Sequence, residues 1–531
     1  MFDAQLTEVF KENAHYAAEL IIGRFGADHH GDEAAMLPHS LANDAIDRIM
    51  LSYLEDGNAN LNYVRILEKW PQEARHAYRP SPEVLVAAKK ASSRLNDELF
   101  QSETCFTTRY GVGITFSPDQ KACKGIVVED GNITLSYSSE WLAKYTDPGT
   151  VLNNFIHVFD FVNAFGLLTM TANRHEDSTL LETLGVHARG EYSKSTSFNM
   201  RNMQVLVIVL AYRRFLLSQG ARLEKALEWF FNEYIEDEFG ITGFSISLPT
   251  EETSLFDKCK SIGPEIERAL KAFQVFVEHG KIDSDYFPYM RIKLFSSLPS
   301  LLENKYLLEG EAFGRYGQLL FSEHSLLAHC PNRSGSGSFM TAIIGNQIGV
   351  SDYNERYTDL IEELADKGFV DITENRCIEA TIKAKLLHRV WQYGALPSRC
   401  IPKEYEEIVN DLVADKTLEY SSSLLTPDEA DYMNYVFNDA KFSNPLALRN
   451  RYDHADGSVD DPNSQAIEND YCHLLALLIS LILKINEELS LHTGKGGIED
   501  FVDWPLIGED QLNAVRNSLS TGENTLPANL G

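Results

Sequence analysis

The chain has 531 residues, room for roughly three or four domains of about 150 residues each, and carries a net charge of −31. That charge excludes the broad basic surface by which proteins hold nucleic acid along their length, so any such contact must be local or governed by a partner. Apolar residues make up 44% and charged residues 24%, the balance of a globular protein with buried cores. The seven cysteines include no Cys-x-x-Cys pair, and the odd count argues against a disulfide framework. The start, Met-Phe-Asp-Ala-Gln, is acidic and polar, unlike a signal peptide. The longest apolar runs, 205–212 and 474–483, are too short to span a bilayer and read as buried helices. A cytoplasmic protein with reduced thiols and no membrane contact is the expectation.

Residues 1–105 read as helical. Leu6, Val9, Phe10, Tyr16, Leu20 and Ile21 form an apolar stripe at helical spacing, and residues 45–54 and 61–70 continue the pattern. His29, His30 and His39, with Asp28, Asp32 and Glu33, read as a solvated loop, since no helix-borne His-x-x-x-His fixes a metal geometry. The period then changes to two. Gly111–Phe116, Gly125–Val128 and Asn132–Tyr137, with turns at Pro118-Asp119 and Asp130-Gly131, predict a small antiparallel sheet within 106–140.

A helical region is predicted over 141–330. It includes a helix from Val151 to Leu168 bearing Phe155, Phe159, Phe161 and Phe165 as core residues, then helices over 200–217 and 222–234, an extended stretch over 240–249, and a helix over 261–279 with Pro264 in its first turn. Asn332-Arg-Ser-Gly-Ser-Gly-Ser338 reads as a linker, lacking the Lys and Ser or Thr of a nucleotide loop; Thr493-Gly-Lys-Gly-Gly497 lacks that motif's first glycine. Residues 339–400 carry an amphipathic helix at 357–367, a Gly368 stop, a strand from Phe369 to Ile372 and a return through Ile378 and residues 380–390. This order is similar to a winged helix. Its helix bears Asp359, Glu362, Glu363 and Asp366, which suits packing or protein contact rather than DNA reading.

The last folded unit is predicted over 401–490, with a tail over 491–531. A helix runs over 404–414. Thr426-Pro-Asp-Glu429 is a capping box that launches a helix to about 440. Asn444-Pro445 repeats the signal before Leu-Ala-Leu-Arg-Asn-Arg-Tyr-Asp-His454, and a long apolar helix follows over 466–489. On a continuous helix Asn450 and His454 share a face, with Arg449 about 100° round. A cation, an amide and an imidazole at one helix end make a phosphate site with a proton shuttle. Arg24 and His29 repeat the bare Arg-to-His spacing, but Phe follows the Arg and Gly26 weakens a helix, so that copy reads as a loop.

Arg449, Asn450 and His454, with Leu446 and Leu448 before them, the Ala-Asp-Gly457 turn after them and the apolar helix beyond, resemble the HEPN superfamily over about 402–489. The resemblance implies a mainly α protein ending in a HEPN-like four-helix bundle, and a metal-independent endoribonuclease that needs no cofactor. In it two copies of the bundle pair, so that a homodimer lines one RNA-cleaving cleft. It further implies a toxin or phage-defence effector, with the large N-terminal region sensing a protein or phage-derived trigger. In that scheme His454 moves the proton of a ribose 2′-hydroxyl or of the leaving oxygen, Arg449 holds the phosphate, and Asn450 orients one or the other. The family also includes members without catalysis. The competing expectation is therefore a HEPN-like scaffold or partner-binding protein, and a winged-helix regulator ranks behind both.

Overall fold

The computed structural model describes residues 2–26, 37–38, 40–70, 78–101, 111–129, 132–175, 190–329, 337–345, 348–453 and 464–495. Within them the protein is mainly helical with small sheets. It divides into two compact units: residues 1–111, 177–197 and 434–455 form the first, and residues 112–176, 198–433 and 456–531 the second. No described helix is long and apolar enough to cross a membrane.

The first unit opens with α1 (Phe2–Glu12), α2 (Ala14–Ile21), which runs into a π-helical turn at Ile22–Gly26, α3 (Asn43–Glu55), α4 (Leu61–Glu68) and α5 (Pro82–Gln101). Its core is built from Ala17, Ala18 and Ile21 of α2, Ile46, Ile49, Met50 and Tyr53 of α3, Val64 and Leu67 of α4, and Val84 and Ala88 of α5. The stripe expected to be buried divides. Ile21 is buried and Phe10 packs against the core, but Leu6, Val9, Tyr16 and Leu20 face solvent. The small side chains at 17 and 18 let α2 approach its neighbours closely, so the buried face is the alanine face. Polar pins complete the unit: Tyr53 accepts from Asn60 N at 2.8 Å and donates to Glu19, and Tyr78 donates to Asp47 at 2.6 Å. Arg24, expected in a loop, lies in the π-helical turn that extends α2.

The second unit begins with β1 (Gly111–Ser117), β2 (Lys124–Glu129) and β3 (Asn132–Ser138), in the order β1-β3-β2. The β2–β3 pair is antiparallel and unbulged from Lys124↔Tyr137 to Glu129↔Asn132, as the period-two pattern requires. Next come α6 (Ser139–Lys144) and α7 (Pro148–His157). The helix expected to reach Leu168 stops at His157. Asp160 takes a left-handed φ of 52°, Phe161 N donates back to Phe155 O, and Asn163 Oδ1 accepts from the backbone of Phe165 and Leu167, winding the chain into a turn. The aromatic reading survives this: Phe155, Phe159 and Phe161 are buried, their rings meeting one another and Tyr212.

Helices α8 (Thr196–Ser218), α9 (Leu223–Trp229), continued by a π-helical turn over 230–234, α10 (Ile235–Phe239) and α11 (Leu255–His279) follow. The Ser254 side chain caps α11, which starts earlier than expected, so Pro264 lies inside the helix and not in its first turn. A second sheet, in the order β7-β4-β8, joins β4 (Tyr306–Glu309), β7 (Leu396–Pro397) and β8 (Leu418–Ser421). Around it lie α12 (Phe313–Phe321), α13 (Phe339–Gly345), α14 (Glu355–Asp366), the β5–β6 hairpin (Val370–Ile372, Ile378–Ala380), α15 (Ile382–Tyr393) and α16 (Glu406–Ala414). The helix expected over 357–367 and the strand after Gly368 are present, and the chain returns through Ile378 as a second strand before α15.

The last helices are α17 (Pro427–Phe437), α18 (Leu448–Asp453) and α19 (Ser464–Thr493). The capping box is formed in both directions, Thr426 N donating to Glu429 Oε2 at 2.9 Å and Glu429 N to Thr426 Oγ1 at 3.3 Å. α17 ends at Phe437, short of the expected 440. The helices expected as one bundle are shared between the units: residues 434–455 group with the first, and α16 and α19 with the second. Residues 471–485 of α19 are buried without a break, which is why its apolar residues surround the helix instead of forming a stripe.

That burial includes ions. Lys484 Nζ donates to Glu429 at 3.0 Å and to the Gly166 carbonyl at 3.1 Å, and Lys305 Nζ meets Glu488 at 2.5 Å. Arg399 donates to Glu487 at 2.7 Å. Burial alone would push the Lys484 ammonium down, but Glu429 and the neighbouring groups hold it well above its ordinary value. The same cations hold Glu487 low against its own burial.

Candidate functional site

The motif residues lie in the first unit. The chain reaches them through an anchor: the Asn444 side chain accepts from Tyr192 N at 2.8 Å and donates to Tyr192 O at 3.0 Å, pairing with a backbone as a strand neighbour would. Tyr192 stacks on Tyr435, with ring centroids 4.4 Å apart. Asn444 is therefore engaged away from the helix it was expected to cap. Leu446 N donates to Tyr435 O, Ala447 takes a left-handed φ of 48°, and only then does α18 begin at Leu448. A non-glycine residue at such a φ breaks helical continuity, so the cap-plus-proline signal at 444–445 starts a turn and not a helix.

α18 buries Leu448 and Tyr452, one turn apart, and leaves Arg451 and Asp453 exposed. Arg449 Nη1 donates to Asn450 Oδ1 at 3.4 Å, so two of the three expected site residues meet. Arg449 Nε also lies 3.2 Å from Asp453 Oδ2, at side-chain exposures of 38% and 28%. The Asp453 partner was visible in the spacing, since residues four apart share a helix face. His454 lies outside the described residues, as do His29, His30 and His39, the turn at 130–131, the Gly-Ser stretch 332–336 and the tail from 496.

A second polar constellation, in the second unit, has no counterpart in the sequence reading. Glu309 closes β4, Arg174 and His175 end the described segment 132–175, and Trp391 lies near the end of α15. The Asn173 side chain straps this segment down, donating to the carbonyls of Trp391 and Gln392 and accepting from His175 N. The His175 ring stacks on Trp391 with centroids 3.6 Å apart and planes at 12°. Its Nε2 is hydrogen-bonded to Glu309 Oε1, and Arg174 Nη1 lies 3.4 Å from Glu309 Oε2. Close by, Asp428 in the first turn of α17 is buried, with Oδ2 unpartnered and packed so tightly that a Cβ on Gly394 would collide with it. Burial pushes the Asp428 carboxyl up to about 7, opposed by Arg174 and reinforced by Asp431, Glu309 and Glu429. His175 and Glu309 are 134 residues apart in sequence, and no local spacing marks either of them.

Among the described residues no group of three or more His, Cys, Asp and Glu side chains is placed to hold a metal ion. No family model, curated protein or solved structure matches the chain.

Proposed function

We propose that the protein is a HEPN-type, metal-independent endoribonuclease whose catalytic residues are Arg449, Asn450 and His454, with the rest of the chain serving regulation by a protein or phage-derived trigger. The observation that carries the reading is the pairing of Arg449 and Asn450 on the partly exposed side of α18, five and four residues before His454 in the sequence. A guanidinium there suits a phosphodiester and stabilises the added charge of its transition state. The ribose 2′-hydroxyl is the nucleophile, His454 moves the proton, and the products are a 2′,3′-cyclic phosphate and a free 5′-hydroxyl.

The test is incubation of the purified protein with single-stranded RNA in EDTA. Cleavage leaving 2′,3′-cyclic ends, and abolished by His454→Ala, is the expected result. Cleavage that requires a divalent ion, or that survives His454→Ala, overturns the assignment.

One observation favours a second reading, a non-catalytic scaffold or partner-binding protein. Arg449 is already engaged by the Asp453 carboxylate, which a phosphate would have to displace. An RNase-null protein that nonetheless co-purifies with a partner in an α18-dependent manner would select this reading.

A further inference from the structure

The constellation around His175 has the layout of an acid–base site. A working base needs an orienting partner on one ring nitrogen, access on the other and a nearby group that holds the substrate. Glu309 supplies the first at Nε2, while Trp391 beneath the ring blocks rotation. Among the described residues His175 Nδ1 has no hydrogen-bond partner, and the side chain keeps 13% exposure. His15 makes the contrast: Asp56 lies 2.9 Å from its Nδ1 and Glu19 3.6 Å from its Nε2, so both nitrogens are spoken for. His388 and His473 differ in another way, each with a buried Nδ1 that no water reaches.

Arg174 supplies the holding group. Its side chain is half exposed and only loosely tied to Glu309, at 3.4 Å. Among the described residues no Ser, Thr or Cys side chain is hydrogen-bonded to His175, and water is the pronucleophile that suits such a base. A guanidinium beside a water-activating imidazole suits an electrophile that is itself an anion. Asp428 would be expected to repel an anion, but its buried carboxyl keeps its proton up to neutrality.

We propose that Arg174, His175 and Glu309 form a second catalytic site, separate from α18, that hydrolyses small phosphate esters. Arg174 binds the non-bridging phosphoryl oxygens. His175 Nδ1 accepts a proton as the water oxygen bonds to phosphorus and the bond from phosphorus to the ester oxygen breaks. The imidazolium, held by Glu309, then returns that proton to the departing alkoxide. The products are inorganic phosphate and an alcohol, and no electrons are exchanged with any further reagent.

The experiment uses the full chain with p-nitrophenyl phosphate, following release of p-nitrophenolate from pH 5 to pH 9. Release above the protein-free rate is expected, with an acidic limb that reports the base. His175→Ala should lower the rate about a hundredfold or more. Arg174→Ala, at an exposed position, should act mainly on KM. Glu309→Gln keeps the shape of the side chain and should move the acidic limb to lower pH while reducing kcat, a change that a merely structural strap would not produce. No release above background overturns the proposal, and so does release that persists in a folded His175→Ala protein. If His175→Ala does not fold, Glu309→Gln decides: an unchanged pH profile and rate overturn the proposal just as well.

Discussion

Arg449 and Asp453 sit one helical turn apart in α18, with Nε 3.2 Å from Oδ2. In an RNA-cleaving site that carboxylate competes with the scissile phosphate for the same guanidinium. An exposed ion pair is worth at most about 1 kcal/mol, so Asp453→Asn should raise cleavage at subsaturating RNA by up to about fivefold. Arg449→Ala should lower it by about a hundredfold or more. Arg449→Lys should restore only part of that, because an ammonium lacks the guanidinium's fork. Single-turnover rates for the three variants check these expectations.

The motif supplies a single imidazole, whereas transesterification uses both a proton acceptor and a proton donor. Under the proposed function a second copy of the chain would provide the missing group. Sedimentation should therefore show a dimer at micromolar concentration. Mixing His454→Ala with Arg449→Ala protein should not restore full activity if each site draws both residues from both copies. A monomer that cleaves RNA would remove the need for the pairing.

Asp428 makes stability fall with rising pH. Burial raises its folded carboxyl from 3.8 to about 7, so between those values the folded state holds a proton that the unfolded chain has released. The stabilisation is complete below the unfolded value and is lost as pH rises through about 7, with an upper size of about 4 kcal/mol. His388, pushed down to about 4 mainly by burial, works in the opposite sense between about 4 and 6.5. Comparison with Asp428→Asn separates the two. From pH 5.5 to pH 8 the urea midpoint of the variant should rise relative to that of the parent protein, because only the His388 contribution remains.

Lys484 answers two buried carboxylates, Glu429 at 3.0 Å and Glu487 at 3.5 Å. Lys484→Met leaves both with one cation fewer in a buried site and should cost about 3–5 kcal/mol in urea unfolding. Arg399→Met should cost less, since Glu487 keeps Lys484 as a partner.

Sequence patterns located the elements that depend on neighbours in the chain. The hairpin at 124–138 follows from alternation around Asp130-Gly131, and the Thr426–Glu429 box from two residues three apart. The path of α18 was less legible. Asn444 carries a capping residue's chemistry, but it bonds to Tyr192, 252 residues earlier, and that tertiary pairing outcompetes the local role. In α1 and α2 the stripe of large apolar residues was legible but misleading. Burial follows the small alanines, whose packing value depends on helices that the local sequence does not reveal. The His175 constellation was illegible for the plainest reason: its members come from residues 174–175, 309, 391 and 428, and only the fold joins them.

The placement of α19 dictates when the protein is able to fold as it is made. The Gly166 carbonyl waits for Lys484, which leaves the ribosome 318 residues later. At roughly 5–20 residues per second of synthesis, that wait is about 15–60 s. Lys305 has no carboxylate until Glu488 arrives, and the backbone of Leu168 has no acceptor until Glu429 does. The first unit is in the same position, since its early helices are completed by residues 434–455. Throughout elongation the nascent chain therefore exposes apolar and ionic surfaces whose partners have not been translated.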